Sequence, residues 1–130
     1  MLREEDYCDY ETSRALADLG ISHCGLHFYE KGYGMTLHHN YMQYLTVRTA
    51  KALDRVLAIP LYSAQKWLRE EKGIQIEVPI SFMDDGVWKF SFRLQTRDFY
   101  DRAIGEWDSY EKALLQGIKQ AINILREGKK

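Results

Sequence analysis

A change of period at one glycine constrains this chain more than any other feature. Residues 60–72 carry Leu61, Ala64 and Leu68 at helical spacing, with Trp67 beside them, and Gly73 supplies a stop. Ile74, Ile76, Val78, Ile80 and Phe82 then alternate without a gap. A shift from the helical period to period two across a glycine predicts a helix running directly into a strand. Gln75, Glu77, Pro79 and Ser81 occupy the opposite face, so one side is buried and the other wet or thinly covered, as in an antiparallel sheet. Pro79 cannot donate to a ladder, which predicts an edge position or a bulge there. Asp84-Asp85-Gly86 is a hairpin turn signal. On the return, Trp88, Phe90, Phe92 and Leu94 alternate inward, with Lys89, Ser91, Arg93 and Gln95 outward.

Before this junction, Asp9 suits the cap of a helix over residues 10–19, because its carboxylate can accept from free amides of the first turn. Thr12, Ala15, Leu16 and Leu19 share its inner face, and Gly20 suits the left-handed position that follows. Residues 21–30 read as a strand with Cys24, Leu26 and Phe28 on one side. Lys31-Gly32-Tyr33-Gly34 reads as a turn, and residues 35–41 as the returning partner. A short helix is expected near residues 49–57, ended by Ile59-Pro60. Residues 96–107 form a connection with room for one more short strand. Asp108-Ser109-Tyr110-Glu111 resembles a capping box with Asp108 in the cap position. The final helix aligns Tyr110, Ala113, Leu114, Gly117, Ile118, Ala121, Ile122 and Leu125, and Gly128 ends it. A glycine on that apolar stripe predicts close approach to a sheet or another helix. No βαβ alternation occurs. The expected fold is α+β: one two-layer domain over residues 1–130, an antiparallel sheet of about four strands with helices on one face.

Composition narrows the function classes. The chain has 130 residues, 45% hydrophobic and 28% charged, which suits one globular domain. Net charge is −1, which argues against a protein built to coat nucleic acid. The start, Met1-Leu2-Arg3-Glu4-Glu5-Asp6, lacks the apolar core of a signal peptide, and no apolar run reaches the length of a membrane span. Two cysteines, Cys8 and Cys24, are too few for a disulfide framework. A cytoplasmic protein with both as thiols is expected, with one Cys8–Cys24 bridge as the alternative.

Three short anchors carry a resemblance. They are Glu11-Thr12 with Leu16 and Gly20, then Lys66-Trp67-Leu68-Arg69-Glu70, then Tyr110-Glu111 with Ala113. In this order the chain resembles a group of small uncharacterised bacterial and phage-associated α+β proteins. Residues 33–57 depart from that pattern. The resemblance implies a small α+β fold and no assigned activity, so no functional residue is carried over.

Candidate chemistry is sparse. His23, His27 and His39 share odd positions on neighbouring candidate strands, and zinc accepts imidazole and thiolate ligands. Strand alternation, however, sets His23 and His27 opposite Cys24, and no zinc-type spacing occurs. Surface or half-buried histidines are the simpler reading, and no metal or cofactor is expected. Asp84-Asp85-Gly86 lacks the alternating ligands of a calcium loop. Asp98, Asp101, Glu106 and Asp108 lie among aromatics, where one desolvated carboxyl could do acid–base work, yet capping and solvated loop charge explain them more simply. No nucleophile motif or phosphate-cradling glycine loop is present. Arg48, Lys51 and Arg55, then Lys66, Arg69 and Lys72, lie near helical spacing. With Tyr41, Tyr44 and Tyr62 they could face nucleic acid, although Asp54, Glu70 and Glu71 offset them.

Nine tyrosines are a rich supply for this length, and they concentrate in the middle of the chain. Tyrosine gives large contact area at small entropy loss and is enriched at interfaces. Tyr29, Tyr33, Tyr41, Tyr44 and Tyr62 are therefore the expected binding surface. The reading is a non-enzymatic protein-interaction module that binds a protein partner or itself, as a homodimer. The alternatives are a nucleic-acid accessory protein using Lys51, Arg55, Lys66 and Arg69, and a small metal-dependent hydrolase using the histidines with the carboxylates above.

Overall fold

A computed structural model describes residues 4–30, 37–39, 45–97, 100–102 and 105–127. The chain divides into two compact units, Met1–Ala64 and Gln65–Lys130.

In the first unit, Asp9 accepts from the amide of Thr12 at 2.9 Å and opens α1 (Tyr10–Asp18), the cap expected from its carboxylate. The helix closes through Gly20, at φ 97°, whose amide donates to the carbonyl of Ala17 while Ile21 donates to that of Leu16. That pair of bonds satisfies carbonyls which a helix end otherwise leaves open. Buried Ser13 joins separate segments. Its hydroxyl donates to the carbonyl of Cys8 at 3.3 Å and accepts from the amide of Ile59 at 3.2 Å. The donor and acceptor roles of this one hydroxyl are thereby both filled in a place that water does not reach.

The strand expected over residues 21–30 is two strands. They are β1 (Cys24–Gly25) and β2 (His27–Glu30), followed by β3 (Leu37–His39) and β4 (Leu45–Thr46). β1 pairs with β4, while β2 pairs antiparallel with β3, His27 opposite His39. The break at Leu26 separates the faces as well: Cys24 is exposed and Phe28 buried. The expected turn at residues 31–34 lies outside the described residues.

The middle helix is earlier and shorter than the sequence spacing suggests. α2 (Val47–Ala52) starts at Thr46, which shares a reciprocal capping box with Thr49. Asp54 then takes a left-handed φ of 59° and ends the helix. Aspartate tolerates this region better than most residues. The chain leaves it as β5 (Arg55–Leu57), which pairs antiparallel with β2 and lies against α1. Arg55 therefore does not share a helix face with Arg48 and Lys51.

α3 (Leu61–Lys72) runs across the division between the units. Leu61, Ala64 and Leu68 are buried along it, as the spacing predicts, and Trp67 is half-buried. Gly73, at φ 68°, turns the chain into the second unit's strands. These are β6 (Gln75–Glu77), β7 (Ile80–Phe82), β8 (Trp88–Phe90), β9 (Arg93–Gln95) and β10 (Tyr100–Arg102). β9 lies between β6 and β10, and β7 pairs with β8. The long alternating run is thus cut at Val78-Pro79. β6 belongs to the buried sheet and β7 to the pair with β8.

α4 (Tyr110–Glu127) packs on β6 and β9. A Cβ built on Gly117 would stand 2.8 Å from Ile76 Cγ2 and 3.3 Å from Phe92 Cγ, so the helix approaches the sheet where only glycine fits. The cap of α4 is Ser109, whose hydroxyl accepts from the amide of Lys112 at 3.1 Å. Asp108 stands outside the cap and pairs with the Lys112 ammonium at 3.0 Å. The capping assignment moves by one residue accordingly.

Among the described residues the protein is α+β, with four α-helices and small antiparallel sheets of two or three strands. The described strands are spread over four small sheets rather than gathered into one sheet of about four. No described helix is long and apolar enough to cross a membrane.

Candidate functional site

The ribbon formed by β7 and β8 is the most exposed apolar element among the described residues. Its turn is built as the sequence predicts. The amide of Met83 donates to the carbonyl of Val87 at 2.9 Å, and Gly86, at φ 83°, takes the left-handed position. The Asp85 carboxylate accepts from the Val87 amide at 3.0 Å and closes the loop. Such a three-residue loop with a left-handed glycine fixes the register of the two strands.

That register puts Ile80 opposite Phe90 and Phe82 opposite Trp88. Directly opposed residues, and residues two apart, share a face. Ile80, Phe82, Trp88 and Phe90 therefore line one face, and Ser81 and Lys89 the other. Ile80 is 53% exposed, Phe82 61% and Trp88 57%. The Phe82 and Trp88 rings lie 4.8 Å apart. Phe90 is half-buried and sits edge-on to Tyr110, and its backbone exchanges two hydrogen bonds with Trp107. The apolar face thus begins at the core and continues outward into solvent. Fully burying one such side chain contributes about 1.5–3 kcal/mol. Leaving three of them more than half exposed forgoes roughly 3 kcal/mol.

Alternation correctly predicts which residues share a face, but the expectation that Ile80, Phe82 and Trp88 face inward is overturned. Cover is what changes along the ribbon: α4 packs on β6 and β9. The register of β7 with β8 continues that of β6 with β9, interrupted at Pro79, whose carbonyl accepts from the amide of Ser91 at 3.1 Å but which has no amide to return.

The predicted tyrosine surface is distributed differently. Tyr29 is buried, 4% exposed, and its hydroxyl donates to the carbonyl of Cys8 at 2.7 Å. Its role is in the core of the first unit, a correction to its place on a binding surface. Tyr62 is 57% exposed. Tyr33, Tyr41 and Tyr44 lie outside the described residues.

The histidines do not assemble a metal centre among the described residues, where no group of three or more His, Cys, Asp or Glu side chains is gathered. His27 Nδ1 is hydrogen-bonded to the Tyr7 hydroxyl at 3.0 Å. His23 is half-buried, and desolvation lowers its pKa, which favours the neutral ring. Of the carboxylates, Asp108 is fully solvated, and its bond to Lys112 holds its pKa below the usual value. Glu106 is exposed, and Asp98 lies outside the described residues.

The basic residues divide. In the first unit, Tyr10, Arg14, Asp18, Lys51, Asp54 and Arg55 line a cleft of about 260 Å³. Two carboxylates there oppose three cations. Arg55 is further engaged, 4.3 Å over the Phe28 ring and 3.9 Å from Glu30. Cys8 and Cys24 are both free thiols, Cys8 buried and Cys24 exposed.

No family model, curated protein or solved structure matches this chain.

Proposed function

We propose that this protein is a non-enzymatic interaction module, working in the cytoplasm, and that it binds through the apolar face of the β7–β8 ribbon. One observation carries the reading: Ile80, Phe82 and Trp88 are each more than half exposed on one face, on a ribbon whose turn and register are well defined. Contiguous exposed apolar surface marks contact sites more often than it marks an idle exterior. Aromatic residues on such a face are the typical anchors of an interface. Tyr62, exposed in the first unit, is a further contact candidate. A two-layer arrangement, with helices on one face of a sheet, fits a scaffold whose task is to present this ribbon.

The test is a double variant, Phe82→Lys with Trp88→Lys. Both residues are on the solvent side, so the fold is expected to survive, as circular dichroism would show. Wild-type protein immobilised against extract of its own source cells should retain a protein partner or further copies of itself, and the variant should not. Equal retention by a folded variant would remove the ribbon from the interface.

The nucleic-acid reading ranks second. Arg14 and Lys51 border the cleft, but Asp18 and Asp54 offset them, and the net charge of −1 supplies no general attraction.

A further inference from the structure

The outer edge of β7 carries information beyond its apolar face. Hydrogen bonds in an antiparallel pair alternate along the strand, so every second residue points its amide and carbonyl toward the partner and the others point them away. Pro79 is bonded to Ser91 and Met83 to Val87, and both bonds link β7 to β8. The inward residues are thus 79, 81 and 83. Ile80 and Phe82 direct their backbone groups to the opposite side. The phase is confirmed on β8, where Phe90, opposite Ile80, points outward and bonds Trp107. Among the described residues, no strand pairs with the outer edge of β7.

Resting on the reading of the ribbon as an interaction surface, we infer that β7 pairs antiparallel with β7 of a second copy of this chain, about a twofold axis through Ser81. The register follows from the phase. Ile80 of one copy opposes Phe82 of the other, and each such pair exchanges an N–H···O bond in both directions. Four backbone bonds form, and Ser81 stands opposite its own copy in the closer, unbonded position. Opposed residues share a face, so Ile80, Phe82 and Trp88 of both copies merge into one apolar surface on a four-stranded sheet. Nothing on β7 opposes this pairing. Natural edges are blunted by charges, by proline or by bulges, whereas Ile80-Ser81-Phe82 has none of these, and Pro79 belongs to the inward set. A stable interface covers about 800 Å² on each partner. Three residues of strand with their flanking face cover less, so the dimer is a reversible equilibrium that forms as concentration rises.

Sedimentation velocity from about 1 μM to 1 mM reads that equilibrium. A shift from monomer to dimer is expected for the wild type. Ile80→Pro removes an amide that the ribbon itself does not use, and should weaken dimerisation at least about tenfold with the circular dichroism spectrum unchanged. Register is read by cysteine scanning in a Cys24→Ser background under mild oxidation. Ser81→Cys places two thiols in opposed, unbonded positions about 4.5 Å apart at Cα, within the range a disulfide spans. Ile80→Cys places them two residues out of register. Dimer crosslinked through position 81 and not through position 80 supports the pairing. A monomer over the whole range, or equal crosslinking at both positions, overturns it. Should the chain stay monomeric while Phe82→Lys with Trp88→Lys still abolishes retention of another protein, self-pairing fails and the ribbon reading stands. If retention also survives the double variant, both fail.

Discussion

Tyr29 shows how much one buried hydroxyl can decide. Its ring stands edge-on to Tyr10 at 6.0 Å, and its hydroxyl donates to the carbonyl of Cys8. Burial raises its pKa well above the ordinary value near 10, and the negative charges of neighbouring groups add to the shift. The folded protein thus prefers the protonated phenol. Stability from this preference is intact below about pH 10, where the unfolded chain is also protonated. It is lost as pH climbs above that point, because the unfolded chain ionises first. Tyr7 is shifted in the same direction, mainly by burial, and contributes to the same alkaline loss. Tyr29→Phe should cost about 1 kcal/mol at pH 8 through the lost hydrogen bond. Urea denaturation at pH 8 and pH 11 should show the wild type losing stability faster than the variant, so that the gap narrows. Equal losses in both proteins would mean that another group titrates. The sequence marked Tyr29 only as one of many tyrosines. Its burial depends on contacts with Cys8, 21 residues away, and no local pattern reports those.

At the scale of elements, what was legible follows from locality. α1, α3 and α4 were readable because caps, stops and apolar stripes all lie within a few residues of one another. The turn at Asp84-Asp85-Gly86 was readable for the same reason. β5 was not, because Arg55-Val56-Leu57 becomes a strand only by pairing with β2, and the apolar spacing of residues 47–57 imitates a helix. The ribbon was half legible. Alternation reports which side chains share a face, but not what covers that face, and cover comes from α4, which packs on β6 and β9. The cap of α4 is the finest distinction of this kind. Asp108 and Ser109 are both good capping residues, and only geometry separates them. Ser109→Ala should cost about 1 kcal/mol in a denaturant titration. Asp108→Asn removes an exposed pair with Lys112 and should leave the midpoint almost unmoved, since such pairs contribute little in water. The opposite ranking would return the cap to Asp108.

The whole molecule is nearly neutral, with a net charge of −1 and an isoelectric point near 6.4. Copies therefore repel one another weakly, and the exposed apolar face of β7–β8 meets little electrostatic opposition to contact. Solubility should pass through a minimum near pH 6.4, where even that repulsion vanishes. The variant carrying Phe82→Lys and Trp88→Lys separates charge from surface. Its two added lysines move the net charge at pH 7 from −1 to +1, which leaves the magnitude unchanged. If net charge alone limited solubility, wild type and variant would precipitate at similar concentrations at pH 7. If the ribbon is the adhesive surface, the variant should be several-fold more soluble in an ammonium sulfate titration, because the two exposed aromatic side chains of the ribbon are gone while self-repulsion is the same. An unchanged precipitation curve would show that the ribbon does not govern contact between copies.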